Sequence, residues 1–159
     1  MSLRQQLTDA MKEAMKAKDA KRLATVRLVL AALKDRDIAA RTETSRDLLG
    51  DDEILSLMAK MIKQRDESAV AFDAGNRPEL AAGEREEITI IRSFMPAQMD
   101  ETGVQQAAKT VIAELGAASI KDMGKVMAAM KERYAGQMDF ARASAVVKAC
   151  LGPSVAKDA

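Results

Sequence analysis

Seven residues in the last third of the chain carry its clearest chemical potential: Lys121, Gly124, Lys125, Lys131, Arg133, Arg142 and Lys148. Six are cations suited to phosphate oxygens, and such contacts position a polyanion without reading its sequence. The seventh, Gly124, lies within a helical pattern, Ile120-Lys121-Asp122-Met123-Gly124-Lys125-Val126-Met127, between two lysines. Glycine in a helix interior costs about 1 kcal/mol relative to alanine. Its presence suggests a close approach to the backbone, by a neighbouring helix or by a phosphate chain, although an isolated helix glycine usually has a packing reason or none.

Other chemistry is excluded by what the sequence lacks. Histidine is absent, which removes the usual general base near neutral pH and the commonest metal ligand. With Cys150 as the single cysteine, neither a zinc site nor a Ser-His or Cys-His pair is expected. No Gly-rich phosphate loop is present. Aromatic residues are limited to Phe72, Phe94, Tyr134 and Phe140, too few to stack successive single-stranded bases. The Glu84, Glu86 and Glu87 cluster reads as a solvated face, and Lys60, Lys63, Gln64 and Glu67 as ordinary helix-surface pairs or a contact surface. No catalytic residue, metal or cofactor is assigned.

The net charge of +1 conceals an asymmetry. Residues 1–41 hold ten Lys/Arg against five Asp/Glu, and residues 42–95 hold seven against twelve, so the two stretches carry +5 and −5. Such a division steers a polyanion to one end or lets the two stretches attract one another. The cysteine count and the lack of a secretory signal pattern favour a reducing compartment, and the expectation is a cytoplasmic protein. No apolar run approaches the roughly 20 residues that cross a bilayer. Membrane-surface binding through Arg4, Lys12, Lys16 and Lys18 is disfavoured because Asp9 and Glu13 interrupt that face.

The elements that must position these residues are all helical. Ser2 and Gln5 open a first helix with Leu3, Leu7, Met11, Ala14 and Met15 inward. Asp19 caps a second, whose Leu23, Val26, Leu30 and Leu33 form one stripe while Leu28, Val29 and Ile38 extend apolar character around it, placing it at the centre. Arg41 to Gly50 reads as a connection. Asp51 and Asp52 begin a third helix with Ile54, Met58, Met61, Ile62, Arg65, Ala69 and Phe72 inward, and Arg65 requires a partner there. Gly75-Asn76 supplies a left-handed stop, Pro78 opens a fourth helix with Leu80, Ile88, Ile91 and Met95 inward, and Pro96 marks a domain boundary.

Three shorter helices follow. Val104, Ala108, Val111, Ile112 and Leu115 end at Gly116; Ser119 and Asp122 open the next, with Met123, Val126, Met127, Met130 and Tyr134 inward before Gly136. Asp139 caps the last, with Phe140, Ala143, Val147 and Leu151 inward before Gly152-Pro153 and a fraying tail. The predicted fold is all-α: an N-terminal four-helix domain over residues 1–95 and a small C-terminal three-helix domain over 96–159.

Four strings in this order resemble the YqeY family: Lys60-Met61-Ile62-Lys63-Gln64-Arg65-Asp66-Glu67-Ser68, Ala71-Phe72-Asp73-Ala74-Gly75-Asn76-Arg77-Pro78-Glu79-Leu80-Ala81, Phe94-Met95-Pro96-Ala97-Gln98-Met99 and the Lys121 to Met127 run. The likeness extends from about Leu3 to Leu151. That family is similar to the C-terminal helical region and tail of the B subunit of aspartyl/glutamyl-tRNA amidotransferase, whose tail contacts tRNA. The resemblance implies a helical module binding tRNA or a tRNA-handling enzyme, with a family-level association with carbon–nitrogen ligase activity using glutamine as amido donor. No DNA partner is expected, and the oligomeric state is open. The alternative is a protein-interaction module docking through Lys12, Lys16, Lys21, Arg22 and Lys34 of the basic first helices.

Overall fold

Residues 1–42 and 47–152 are described here, in a computed structural model. Pro153 and the tail expected to fray lie outside them, as does the middle of the connection between Arg41 and Gly50. The described residues form seven α-helices and one 3-10 turn, with no strand. The chain divides into two compact units, Met1–Met95 and Pro96–Ala159.

In the first unit, α1 (Leu3–Lys16), α2 (Ala20–Ala39), α3 (Asp51–Ala74) and α4 (Pro78–Arg92) surround one core. Leu7, Val29, Leu33, Ile54, Met58 and Ile91 are buried at its centre, each large apolar side chain contributing about 1.5–3 kcal/mol on leaving water. The start of α1 is tied twice. The Ser2 hydroxyl accepts from Gln5 N at 3.2 Å, and the Asp51 carboxylate at the head of α3 accepts from Leu3 N at 3.1 Å. Asp19 caps α2 through Arg22 N at 3.1 Å.

The second helix departs from its expected pattern. Leu28 and Ile38 are 48% and 50% exposed, whereas Thr25 and Asp37 are buried. The burial is affordable because both polar groups find partners: Thr25 Oγ1 donates to Lys21 O at 3.0 Å, while Asp37 accepts from Arg4 Nη1 at 2.8 Å, Arg4 Nη2 at 3.0 Å and Leu49 N at 3.0 Å. Asp37 thus joins α1, α2 and the entry to α3, and the Arg4 guanidinium, helped by Leu49 N–H, holds its carboxyl below the ordinary value. Met15, Leu80 and Leu115, expected inward, are also largely exposed; Ala10, Ala81 and Ala107 are buried on those helices instead.

Arg65 has the partner it requires. Its Nε donates to Glu87 Oε2 at 2.9 Å and its Nη1 to Met61 O at 3.2 Å, and Lys21 Nζ lies 3.6 Å from Glu87 Oε1. Glu87 is therefore half-buried between two cations and is not part of a solvated acidic face. The left-handed residue after α3 is Asn76, with φ +58°, while Gly75 has φ −85°.

In the second unit, α5 (Glu101–Leu115), the 3-10 turn Ile120–Asp122, α6 (Met123–Arg133) and α7 (Phe140–Leu151) enclose Ala108, Val111, Val126, Met130, Ala143 and Val147. Met99 N donates to Gln137 O at 2.8 Å and Gln98 Nε2 to Gly136 O at 2.5 Å, anchoring the segment before α5 to the link between α6 and α7. Gly116 ends α5 with φ +62°, a conformation that glycine adopts without steric cost.

Candidate nucleic-acid interface

The approach to α6 is built by its own short-range chemistry. Ser119 and Asp122 form a capping box around the 3-10 turn, with Asp122 accepting from Ala118 N at 3.0 Å and Ser119 N at 3.4 Å. These backbone donors hold the Asp122 carboxyl below its ordinary value, and the Lys125 charge adds to the effect. The turn therefore fixes the direction of Lys121 and the first turn of α6, where Gly124 and Lys125 lie.

Gly124 is exposed, and a Cβ built on it meets no heavy atom within 4 Å. Close packing against a neighbouring helix of the second unit therefore does not account for this glycine. Gly124, Ala128 and Lys131 follow one another at four- and three-residue steps, so they share a face of α6, and all three are exposed. That face lies opposite the buried Val126 and Met130. Lys131 lies about 10 Å along the axis from Gly124, given a rise of about 1.5 Å per residue, and Lys125, one residue after Gly124, is turned about 100° from it. The result is an open strip at Gly124 and Ala128 that leads to Lys131, with the exposed Glu132, four residues after Ala128, beside it. Ala128 went unnoticed in the sequence because alanine carries no chemical signal; its spacing from Gly124 was the available clue.

The seven candidate residues are all exposed but do not form one patch. Gly124 and Lys131 share the α6 strip, with Lys121 in the turn before α6 and Lys125 to one side of Gly124. Arg133, at the end of α6, donates to Glu114 of α5, and this ion pair occupies part of its guanidinium. Arg142 lies opposite the inward Ala143, Val147 and Leu151 of α7, with Asp139 at 3.9 Å. Arg142 thus stands on the outer side of a different helix from the Gly124 face. Lys148 is exposed on α7. Lys121, Lys125, Lys131 and Lys148 have no ion-pair partner among the described residues.

The basic residues of the first helices are divided in a similar way. Lys21 is engaged with Glu87, and Arg22 lies 4.9 Å from the centroid of the Phe94 ring and donates to Ser93 Oγ at 3.4 Å. Lys12, Lys16 and Lys34 remain exposed. Part of the charge asymmetry is thus satisfied inside the first unit. No group of three His, Cys, Asp or Glu residues that could hold a metal ion occurs among the described residues, and no described helix is long and apolar enough to cross a membrane.

An all-helical protein, over its described residues, with an open helix face near exposed lysines is the class this geometry defines. The chain belongs to the YqeY family: the family model described as "Yqey-like protein" matches residues 4–151. Among curated proteins it is similar to "Altered inheritance of mitochondria protein 41, mitochondrial" from three yeasts. The Candida glabrata protein is 31% identical over 85 residues, 54% of this chain and 45% of the relative. The Saccharomyces cerevisiae protein is 32% identical over 85 residues, 54% and 44% of the two chains, and the Kluyveromyces lactis protein 35% identical over 91 residues, 57% and 47%. The matched segment spans about half the length of these relatives.

The cytoplasmic expectation is overturned by this comparison, since the relatives are named as mitochondrial proteins. Its physical basis was too coarse: a single unpaired cysteine reports a reducing environment without distinguishing one such compartment from another.

Proposed function

We propose that this YqeY-family chain is a two-domain helical module, four helices followed by three, that binds tRNA or a tRNA-handling enzyme through its second domain. The observation that carries the reading is the pair Lys121 and Lys125, exposed and without ion-pair partners among the described residues, on either side of an open Gly124. Phosphate oxygens are the fitting ligand for cations beside accessible backbone, and such contacts orient an RNA without reading bases. Lys131 extends the strip, and Lys148 is a further phosphate contact on α7. Arg133 and Arg142, each beside a carboxylate, are secondary contacts that must loosen their pairs to participate.

The relation to glutamine-dependent tRNA amidotransferase is one of binding without chemistry. Amide formation requires glutamine hydrolysis and activation of a carboxyl group, and the sequence offers neither a Ser-His pair nor a Gly-rich phosphate loop for these steps.

The test is a titration of unfractionated tRNA into the full chain at several salt concentrations. Four lysine–phosphate contacts predict a log–log salt slope of about −3, from roughly 0.7–0.9 per contact. The double variant Lys121→Glu/Lys125→Glu should bind at least tenfold more weakly, with a slope smaller by roughly 1.5. Affinity insensitive to both salt and charge reversal would remove the reading. Glutamine-dependent amidation of Asp-tRNA or Glu-tRNA by the purified chain would overturn the absence of catalysis.

A further inference from the structure

A groove in the first unit remains outside this reading. It has a volume of about 350 Å³ and runs between α2 and α3, with Leu28 and Ala32 on one side and Leu57 and Met61 on the other. Leu28, Ala32 and Arg36 recur at four-residue steps, as do Leu57, Met61 and Arg65, so each wall is a single helical ridge about 12 Å long. Leu57 and Met61 are 6% and 7% exposed and form the floor, whereas Leu28 is 48% exposed and forms an apolar wall open to solvent. Two ridges with a trough between them are the setting in which a third amphipathic helix lays its side chains.

The polar lining specifies the occupant's charge. It consists of Arg36, Lys60, Gln64 and Arg65, and no carboxylate lines the groove. This is notable because residues 42–95, which supply one wall, carry a net −5. Arg65 is neutralised by Glu87 at 2.9 Å, but Arg36 and Lys60, on opposite walls, have no ion-pair partner among the described residues. A partner matching both features presents an apolar stripe flanked by carboxylates. RNA matches the cations but has no use for the open leucine wall.

We infer that the α2/α3 groove docks an acidic amphipathic helix of a partner protein, its apolar residues lying between Leu28 and Met61 and its carboxylates meeting Arg36 and Lys60. Two to three turns of such a helix span the 12 Å ridges. The surface shares no residue with the Lys121 to Lys131 strip, so either proposal can fail while the other stands.

The experiment uses the full chain and a fluorescein-labelled 14-residue helical peptide with leucines along one stripe and glutamates on both flanks, read by anisotropy at low ionic strength. A second peptide carries lysines in place of the glutamates. The glutamate peptide should bind at least tenfold more tightly than the lysine peptide, Arg36→Glu/Lys60→Glu should reverse that preference, and Leu28→Gln should weaken binding at least fivefold. All three substituted side chains are exposed, and a circular-dichroism melt confirms that the fold is kept. Equal binding of the two peptides, or binding unchanged by Leu28→Gln, would overturn the inference. So would a tRNA affinity that falls in Arg36→Glu/Lys60→Glu, which assigns the groove to RNA, or a self-association lost in Leu28→Gln, which assigns it to a second copy.

Discussion

Replacing Gly124 with alanine separates the two reasons a helix can contain glycine. Gly124 is not among the residues with positive φ, and its added Cβ would meet no heavy atom within 4 Å. The fold therefore presents no obstacle to the methyl group. Alanine is favoured over glycine by about 1 kcal/mol in a helix interior; at the second residue of α6, within the first turn, about half of that is expected. For a unit of roughly 60 residues, 0.5 kcal/mol corresponds to a rise in Tm of about 2–4 °C, measurable by circular dichroism. The same methyl group would stand on the proposed RNA-facing strip and keep a phosphate from the backbone. Loss of one such contact at about 1.4 kcal/mol weakens tRNA binding about tenfold. The expected variant is thus slightly more stable and a poorer binder. A less stable Gly124→Ala chain would refute the open-surface argument, and a more stable chain with unchanged tRNA affinity would refute the close approach of RNA to this face.

The sequence revealed most where backbone chemistry is local. Ser2, Asp19, Ser119 and Asp139 stand at helix starts because a short oxygen-bearing side chain can satisfy orphan N–H groups within three residues, and this needs no knowledge of the rest of the fold. Burial was less legible. Three- and four-residue periodicity identified Leu7, Met58 and Val147 as inward, but Leu28, read as extending the apolar surface of a central helix, is exposed, and the burial of Asp37 had no signal in the pattern. Whether an apolar residue is covered depends on which helix lies opposite, and whether a carboxylate is buried depends on partners 12 and 33 residues away. The candidate site shows the same division. The lysines around Gly124 were visible as types and spacing, whereas the loss of Arg133 to Glu114 and the outward turn of Arg142 arise from packing among α5, α6 and α7. Lys60 and Gln64 were legible as part of a possible contact surface on the third helix, but the groove they line required α2 to be brought alongside, which neither helix shows alone.

Two further outcomes follow from the ion pairs. Lys131 has no ion-pair partner among the described residues and Arg133 is paired with Glu114, so Lys131→Gln should weaken tRNA binding several-fold more than Arg133→Gln, and equal effects in the titration would show that pairing does not decide which cations are available. The second outcome concerns acid stability. The folded Asp37 carboxyl titrates below its unfolded value because of Arg4 and Leu49 N–H; its stabilising contribution is therefore complete above the ordinary carboxylate range and declines as the pH falls through about 4 towards the folded value. Removing one member of a buried pair costs about 3–5 kcal/mol. The Arg4 side chain is 28% exposed, which lowers the expectation for Arg4→Ala to about 2 kcal/mol at pH 7. Urea denaturation at pH 7 and pH 3 tests the cause as well as the size. If the loss comes from stranding an ionised Asp37, the gap between the parent chain and Arg4→Ala must narrow at pH 3, where protonation removes the charge in the variant and weakens the pair in the parent. A gap of the same size at both pH values would mean that Arg4 stabilises α1 through the packing of its alkyl chain and not through Asp37.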